Sequence, residues 1–289
     1  MKVNRNVLNE IEAEFSTYSK GQKKIAEYII KHYDKAAFMT ASKLGQEVGI
    51  SESTVVRFAN ALGYEGYPEL QAALSEIVKT KLTSLQRMEI AYDKMANEDI
   101  LSKVINSDIS KMRSTLENID KKAFDRAVEE ILNAKKIYIL GVRSAAAISN
   151  FLGFYFNLLF TDVRLVHTTS VSEMFEQILR AEKGDVVIGV SFPRYSRRTI
   201  KALEYAKMRG ATVISITDTP RSPLVPQSDI SLFAKTDMVS FVDSLVAPLS
   251  VVNALIVAIG MRKKQEIAQT LSDLENIWEE YNVYDRENE

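Results

Sequence analysis

The stretch VVIGVSFPRYSRRTIKALEYA, from Val186 to Ala206, decides the fold because it joins a buried strand to a helix. It opens with the apolar run VVIGV, which is typical of a strand covered on both faces of a parallel sheet. From Arg197 onward the apolar residues recur every three or four positions, which indicates an amphipathic helix. Hydroxyl and arginine side chains, which bind anions, lie between the two. The joint predicts an anion-binding turn at the carboxyl end of a strand.

Similar runs of β-forming residues occur on both sides of this stretch. They are IYIL at 137–140, VRLV at 163–166 and TVISI at 212–216. Helical patterns separate them, and a further apolar piece, DISLFA, follows a proline-rich loop. Strands that alternate with helices predict an α/β domain with a doubly wound parallel sheet. We assign this domain, with its C-terminal helices, to residues 133–289.

The chain before this domain has a helical pattern throughout. Residues 1–80 predict an all-α domain, and residues 81–132 predict a helical connector. No glycine occurs between Glu69 and Leu132. We therefore expect stiff connector helices that could transmit a signal and could also dimerise.

The composition excludes several classes of function. The 289 residues contain no cysteine, which rules out disulfides and cysteine-based metal sites or nucleophiles. The longest apolar run, at 245–261, contains Pro248 and is shorter than the roughly 20 residues of a membrane span. We expect a cytoplasmic protein without a membrane partner. The net charge is -1, and acidic and basic residues balance over the first 80 positions, so any nucleic-acid binding must depend on where the charges lie.

A helix-turn-helix is predicted within MTASKLGQEVGISESTVVRFANALGY, from Met39 to Tyr64. Gly49 suits the tight turn after the first helix, and Ser51 is a good N-cap for the second. Short polar residues at the start of this second helix, followed by arginine and asparagine, suit base edges in the major groove. The predicted DNA-binding residues are Lys43, Ser51, Glu52, Ser53, Thr54, Arg57 and Asn60.

A helix pair that only packs, with solvated polar residues outside, is the alternative. The lack of net positive charge favours that alternative, whereas a dimer that presents two such helices to DNA would answer the objection.

Three strand ends carry groups that suit a phosphate. Because the carboxyl ends of parallel strands meet at one edge of a sheet, hydroxyls, amides and guanidinium groups would surround a single anion there. The residues concerned are Gly141, Arg143 and Ser144 after the first strand, His167, Thr168 and Thr169 after the second, and Ser191, Arg194, Ser196, Arg197 and Thr199 after the third. Each also has a simpler explanation: Ser144 as a helix cap, His167 as a structural residue, Arg197 on a solvated helix face.

Catalysis has little support in the sequence. Glu173 and His167 are the candidate bases near the predicted site, and no paired carboxylates, metal-ligand spacing or nucleophile–base set is present. We expect no catalytic residue, no metal and no cofactor. Two other interpretations stay open, a phosphosugar isomerase with a helical accessory domain and a scaffold whose helix-turn-helix contacts protein.

The chain resembles the RpiR/MurR-type bacterial transcriptional regulators, which join an N-terminal helix-turn-helix domain to a sugar isomerase (SIS) domain. The segments that carry the resemblance are YSKGQKKIAEYI, from Tyr18, and TASKLGQEVGISESTVVRFANALGYEGYPEL, from Thr40. The resemblance implies operator DNA as one partner, a phosphorylated sugar as effector, and a homodimer or homotetramer. For the mechanism, we expect the ligand phosphate to bridge the turns at 141–144 and 191–199, and the sugar hydroxyls to meet Thr168, Thr169 or Glu173.

The chain departs from the SIS pattern at both phosphate turns. In the family's G-x-G-x-S turn, Gly141 matches the first glycine, Arg143 replaces the second, and Ala145 stands where the serine would be. In the S-x-S-G-x-T signature, Ser196 and Thr199 match, Arg197 replaces the glycine, and Arg194 replaces the first serine. We expect Ser191 to take over the role of that serine, and we expect arginine contacts to the ligand.

Overall fold

A computed structural model describes residues 7–81, 83, 85, 86, 88, 99–168, 170–236 and 242–284. The chain forms two compact units, Met1–Lys94 and Met95–Glu289.

The first unit is helical, as the sequence predicted. Its described helices are α1 (Val7–Glu14), α2 (Lys20–Lys31), α3 (Tyr33–Ala36), α4 (Ala41–Val48), α5 (Glu52–Ala61) and α6 (Tyr67–Lys81). Ser19 begins α2 with a capping box, in which its side chain accepts from the Gln22 amide and the Gln22 side chain accepts from the Ser19 amide. The core holds Ile25, Leu44 and Phe58, all fully buried.

The second unit contains the predicted parallel sheet. Its strands are β1 (Ile137–Gly141), β2 (Val163–Val166), β3 (Val186–Val190), β4 (Thr212–Thr217) and β5 (Ile230–Phe233). They pair in the order β2-β1-β3-β4-β5, and every pair is parallel. Strands β1 and β3 are buried along their whole length, which explains why their sequences are uninterrupted apolar runs.

Helices cover both faces of this sheet, so the α/β doubly wound prediction is confirmed. The helices are α7 (Ile100–Asn118), α8 (Lys121–Leu132), α9 (Ala145–Leu159), α10 (Val171–Ile178), α11 (Arg197–Met208), α12 (Val246–Arg262) and α13 (Lys264–Glu280). Buried residues of α8, α9 and α12 form one core cluster with the sheet, and those of α10 and α11 form the other.

Residues 99–132 of the predicted connector belong to the second unit, whereas its first described residues, up to 88, belong to the first. Helix α8 contributes Ala127, Val128 and Ile131 to the core of the sheet domain. Helix α7 is joined to the loop after β5, because the Lys235 amide donates to the Thr115 hydroxyl at 3.0 Å.

Among the described residues no single helix is both long and apolar enough to cross a membrane. Helices α12 and α13 reach that length and composition only as a pair, and the pair is bent by 99°.

Candidate functional site

The turn between α4 and α5 has the geometry of a helix-turn-helix. Gly49 has a φ of +67°, a left-handed conformation that glycine adopts without strain. The Ile50 amide then donates to the Gly45 carbonyl at 2.8 Å. A β-carbon at Gly45 would lie 2.6 Å from the Ile50 carbonyl oxygen, so this close approach requires glycine. Gly45 lies inside a helix, and no sequence pattern singled it out.

The start of α5 presents a polar cluster to solvent. The Ser51 hydroxyl lies 3.0 Å from the Ser53 hydroxyl and 2.9 Å from the Thr54 hydroxyl. The Arg57 guanidinium donates to the Ser53 carbonyl and to the Thr54 hydroxyl, each at 3.3 Å. Ser51 occupies the N-cap position, as predicted, but its side chain makes no bond to a backbone amide.

The remaining predicted DNA contacts are also on the surface of this unit. Lys43 on α4 and Glu52 and Asn60 on α5 are all exposed. Three short hydroxyl side chains and an arginine therefore come together at the amino end of α5, and the other predicted residues lie around them.

The second candidate site lies where the chain changes direction across the sheet. From β1 the chain passes to β2 on one side, and from β2 it returns to β3 on the other. Open α/β sheets bind ligands at this switch point, beyond the carboxyl ends of the two strands. Gly141 pairs with Val190, so the β1–α9 turn and the β3–α11 turn leave the sheet side by side.

The β3–α11 turn arranges hydroxyls at the start of α11. The Ser191 hydroxyl accepts from the Ser196 amide at 3.1 Å, and the Ser196 hydroxyl caps α11 by accepting from the Thr199 amide at 3.3 Å. Each oxygen is the acceptor, so its hydrogen is left to donate. Thr199 is fully buried, and its hydroxyl has no hydrogen-bond partner. A buried hydroxyl without a partner costs free energy.

Arginines take left-handed backbone conformations in both turns. Arg143 has a φ of +59° and Arg194 a φ of +66°. This conformation costs a residue other than glycine about 1–2 kcal/mol. Arg143 stands where SIS domains commonly carry a glycine, and the positive φ gives the physical reason for that glycine. Both turns thus hold an arginine in a strained backbone conformation, and Arg197 is exposed at the first position of α11.

The β1–α9 turn is closed by a side chain that sequence reasoning missed. Gly141 is buried, and a β-carbon there would overlap the Ser149 hydroxyl and lie 2.9 Å from the Ala145 carbonyl oxygen. The Ser149 hydroxyl is buried without a partner. Ser144 stands at the N-cap of α9, but it has a helical backbone and makes no capping bond. The simpler explanation of Ser144 as a cap therefore does not hold.

The residues after β2 bond to one another. The Thr168 hydroxyl donates to the Glu173 carboxylate and accepts from the Ser170 amide at 2.9 Å. His167 is exposed, and its backbone amide donates to the Gln177 side chain at 3.2 Å. Thr169 lies outside the described residues.

Over the part of the chain that is described, no cluster of three or more histidine, aspartate or glutamate side chains could hold a metal ion.

A polar network at the end of β4 was also missed. The Tyr195 hydroxyl donates to the Asp218 carboxylate at 2.8 Å, which ties the β3–α11 turn to the end of β4. Asp218 is buried, and the Thr217 hydroxyl beside it donates to the Ser222 hydroxyl at 2.8 Å. The available signal was the polar sequence TDT that follows the apolar part of β4.

Comparison with known proteins matches each part of the chain to a known domain family. Residues 5–81 match the helix-turn-helix domain of the rpiR family, and residues 130–258 match the SIS domain. The HTH-type transcriptional regulator HexR of Pseudomonas aeruginosa is 26% identical over 266 residues, which cover 90% of each chain.

Two solved structures have the same fold. The Vibrio vulnificus NanR protein, solved in complex with ManNAc-6P, aligns with a TM-score of 0.59 at 21% identity and covers 94% of this chain and 98% of its own. The sugar isomerase domain of an RpiR transcription factor from Sphaerobacter thermophilus aligns with a TM-score of 0.59 at 28% identity, over 62% of this chain and 99% of its own. With its rpiR-family helix-turn-helix domain and its SIS domain, the chain belongs to the RpiR-type transcriptional regulators.

Proposed function

We propose that this regulator is a cytoplasmic, non-enzymatic sensor of a phosphorylated sugar, which binds at the β1/β3 switch point and changes the binding of α5 to operator DNA. The observation that carries the proposal is the turn at the start of α11. There, Ser191 and Ser196 have hydroxyl hydrogens left to donate, and the buried Thr199 hydroxyl has no partner.

A phosphate dianion suits this turn in charge and in hydrogen bonding. It is an acceptor, and the first turn of a helix offers backbone amides and the positive end of the helix dipole. Arg143, Arg194 and Arg197 add positive charge at the same edge of the sheet. The related NanR protein was solved with a sugar phosphate, which makes this ligand class the first to test.

The sugar moiety is assigned to the residues after β2. Strand β2 pairs with β1, so these residues follow the strand next to the switch point. Glu173, Thr168 and Thr169 supply acceptors and donors for ring hydroxyls, and His167 lies at the exposed side. Gly141 and Ser144 belong to the phosphate side.

On the DNA side, α5 is the recognition helix. The exposed Ser53 and Arg57 and the half-buried Thr54 would reach base edges, and Lys43 would contact a phosphate of the backbone. Two copies of the chain would place two such helices on half-sites about 34 Å apart. A ligand-induced change of a few ångströms in their spacing would then weaken the complex.

Thermal shift with a panel of hexose and hexosamine phosphates tests the ligand site. At a ligand concentration of one hundred times Kd, binding should stabilise the fold by about 2.7 kcal/mol. The double variant Ser196→Ala/Thr199→Ala should lose this stabilisation and keep the basal DNA binding. Ser110→Ala, on the exposed surface of α7, is the matched control. If the double variant responds to ligand like the unchanged chain, the phosphate is not bound at this turn.

Electrophoretic mobility shift with the DNA upstream of the gene's own operon tests the regulator. Arg57→Ala should lose discrimination between operator and random DNA, by about 1–3 kcal/mol. Arg126→Ala, an exposed arginine of α8, should retain it. The absence of any shift at low salt, with and without sugar phosphates, would refute the DNA-binding function.

An isomerase assay on the same sugar phosphates separates the sensor from the enzyme alternative. We expect binding without turnover. Conversion of an aldose phosphate to its ketose, lost in Glu173→Gln, would instead make the protein an isomerase.

A further inference from the structure

The β3–α11 turn bonds to the neighbouring strand β4 at both of its ends. At its start, the Ser191 amide donates to the Ile216 carbonyl at 3.2 Å, which extends the pairing of β3 with β4. Near its end, the Tyr195 hydroxyl donates to the Asp218 carboxylate at 2.8 Å, and Ser196 then begins α11 as its N-cap. The turn is thus joined to β4 both before and after its tip.

The loop that carries Asp218 is held in place by buried hydrogen bonds of its own. Asp218 and Ser222 are both buried. The Ser222 hydroxyl accepts from the Thr217 hydroxyl at 2.8 Å and from the Leu224 amide at 3.3 Å. Leu224 is fully buried in the core cluster that α10 and α11 form with the sheet. Asp218 therefore offers Tyr195 an acceptor whose position is determined by the core of the domain.

Tyr195 stands between a strained residue and a residue of the proposed phosphate site. Arg194, which precedes it, has a φ of +66°, and this conformation costs free energy in a residue other than glycine. Ser196, which follows it, donates its amide to the Ser191 hydroxyl and accepts from the Thr199 amide. A strained turn persists only where other contacts stabilise it. A hydrogen bond to a carboxylate is suited to this, because it is stronger than one between neutral groups.

The Tyr195 hydroxyl is not suited to bind the phosphate itself. It has one hydrogen, and the bond to Asp218 uses it. The carboxylate that accepts this hydrogen has the same sign of charge as a phosphate, so an anion placed against Tyr195 would be repelled. The hydroxyl can therefore affect a bound phosphate only through the shape of the turn.

We infer that Tyr195 is a positioning residue for the phosphate. Because this role concerns how the same turn holds a phosphate, it rests on the proposed function. Bound to Asp218, Tyr195 keeps Arg194 in its left-handed conformation and thereby fixes where Ser196 lies relative to Ser191. Without this bond the turn relaxes, and the two serine hydroxyls lose the arrangement in which both can donate to one anion.

Calorimetry of Tyr195→Phe in the full chain tests this role, because the substitution removes only the hydroxyl. The probes are inorganic phosphate and the sugar phosphate of the panel that binds most tightly. Both should bind about tenfold more weakly, by the same factor, since the turn contacts the group that they share. Tyr205→Phe is the matched control. It loses a hydroxyl that donates to the Leu179 carbonyl at 3.2 Å, and it should keep both affinities.

The outcomes separate this role from the proposed function. Unchanged affinities in Tyr195→Phe would overturn the positioning role and leave the proposed function intact. A loss confined to the sugar phosphate would also overturn it, because Tyr195 would then act on the sugar. If the unchanged chain binds neither probe, both the proposed function and the positioning role are refuted.

Two replacements of Asp218 test whether its oxygen is the group that matters. Asp218→Asn and Asp218→Ala both remove the carboxylate, but the asparagine oxygen can still accept from Tyr195. Asp218→Asn should therefore bind inorganic phosphate about three- to tenfold more tightly than Asp218→Ala. Addition of Tyr195→Phe to Asp218→Ala should weaken binding no further, because the bond is already lost. Equal affinities of the two Asp218 variants, or a further loss in the double variant, would contradict the inference.

Hydrogen exchange in the absence of ligand supplies a measurement that does not depend on binding. In Tyr195→Phe, the amides of residues 191–199 should exchange faster than in the unchanged chain, because the turn opens more often. In Tyr205→Phe, their exchange should be unchanged. Circular dichroism checks that both variants are folded. A folded Tyr195→Phe variant with unchanged exchange over this segment would show that the bond to Asp218 does not hold the turn, and the inference would fail.

Discussion

Replacement of Arg143 by glycine should affect stability and ligand binding in opposite directions. The backbone at Arg143 has a φ of +59°, so glycine would remove a strain of about 1–2 kcal/mol. Glycine also makes the unfolded chain more flexible, which lowers the free energy of unfolding by about 0.4–1 kcal/mol. Arg143→Ala retains the strain and loses the same guanidinium. We therefore expect Arg143→Gly to be about 1 kcal/mol more stable than Arg143→Ala.

The same two variants should bind the sugar phosphate equally poorly. A charge-assisted hydrogen bond contributes about 1.5–3 kcal/mol, so loss of the guanidinium should weaken binding by a factor of ten to a hundred. Backbone strain plays no part in this loss, so it should not distinguish glycine from alanine. The two variants thus separate the backbone strain at position 143 from the contribution of the guanidinium to ligand binding.

Urea unfolding followed by the fluorescence of Trp278 gives the measurement. This residue is the chain's single tryptophan and lies on α13, so its signal reports on the second unit. A difference of 1 kcal/mol should move the midpoint by about 0.3–1 M urea. Arg194, with a φ of +66°, offers an independent repeat. If Arg143→Gly unfolds at a lower urea concentration than Arg143→Ala, the strain argument is refuted.

Other predictions concern both units. Gly49→Ala should destabilise the first unit by about 1–2 kcal/mol in thermal melts, because φ is +67° and no atom lies within 4 Å of the added carbon, so only the backbone is strained. Burial raises the pKa of Tyr67 to about 12. The contribution of the neutral Tyr67 to the free energy of unfolding is therefore full below pH 10 and is lost as the pH rises towards 12. In melts at different pH values, Tyr67→Phe should show a smaller loss of stability over this range. Glu173→Gln should weaken binding of the sugar phosphate and leave binding of inorganic phosphate unchanged in calorimetry.

Strands β1 and β3 could be predicted closely because both are buried along their whole length. The run IYIL was predicted at 137–140 and the strand is Ile137–Gly141, while VVIGV has the same extent as the strand Val186–Val190. The packing of α7 could not be predicted in the same way. Its apolar period indicates that one face is covered, but not by which molecule, and only the fold shows that Lys111 and Thr115 face the domain.

The site was predictable as far as local hydrogen bonds determine it. Ser196 follows a strand and precedes a helix, and its capping bond to the Thr199 amide is local. The contact between Tyr195 and Asp218 depends on the pairing of β3 with β4, which no short pattern specifies. The positive φ of Arg143 could not be predicted either, because a left-handed backbone is normally predicted from a glycine and this position holds an arginine.

The two halves of the proposed site differ in how far they are organised before a ligand binds. Ser191 and Ser196 hold the phosphate turn through bonds in which they accept, so binding of an anion uses hydrogens that those bonds leave available. Glu173 already accepts from Thr168, so a sugar hydroxyl must share or displace that bond. Affinity for the phosphate should therefore come from a turn that is already formed. Discrimination between sugars should depend on whether a given hydroxyl can replace Thr168, which is why the comparison of sugar phosphate with inorganic phosphate in Glu173→Gln separates recognition of the sugar from recognition of the anion.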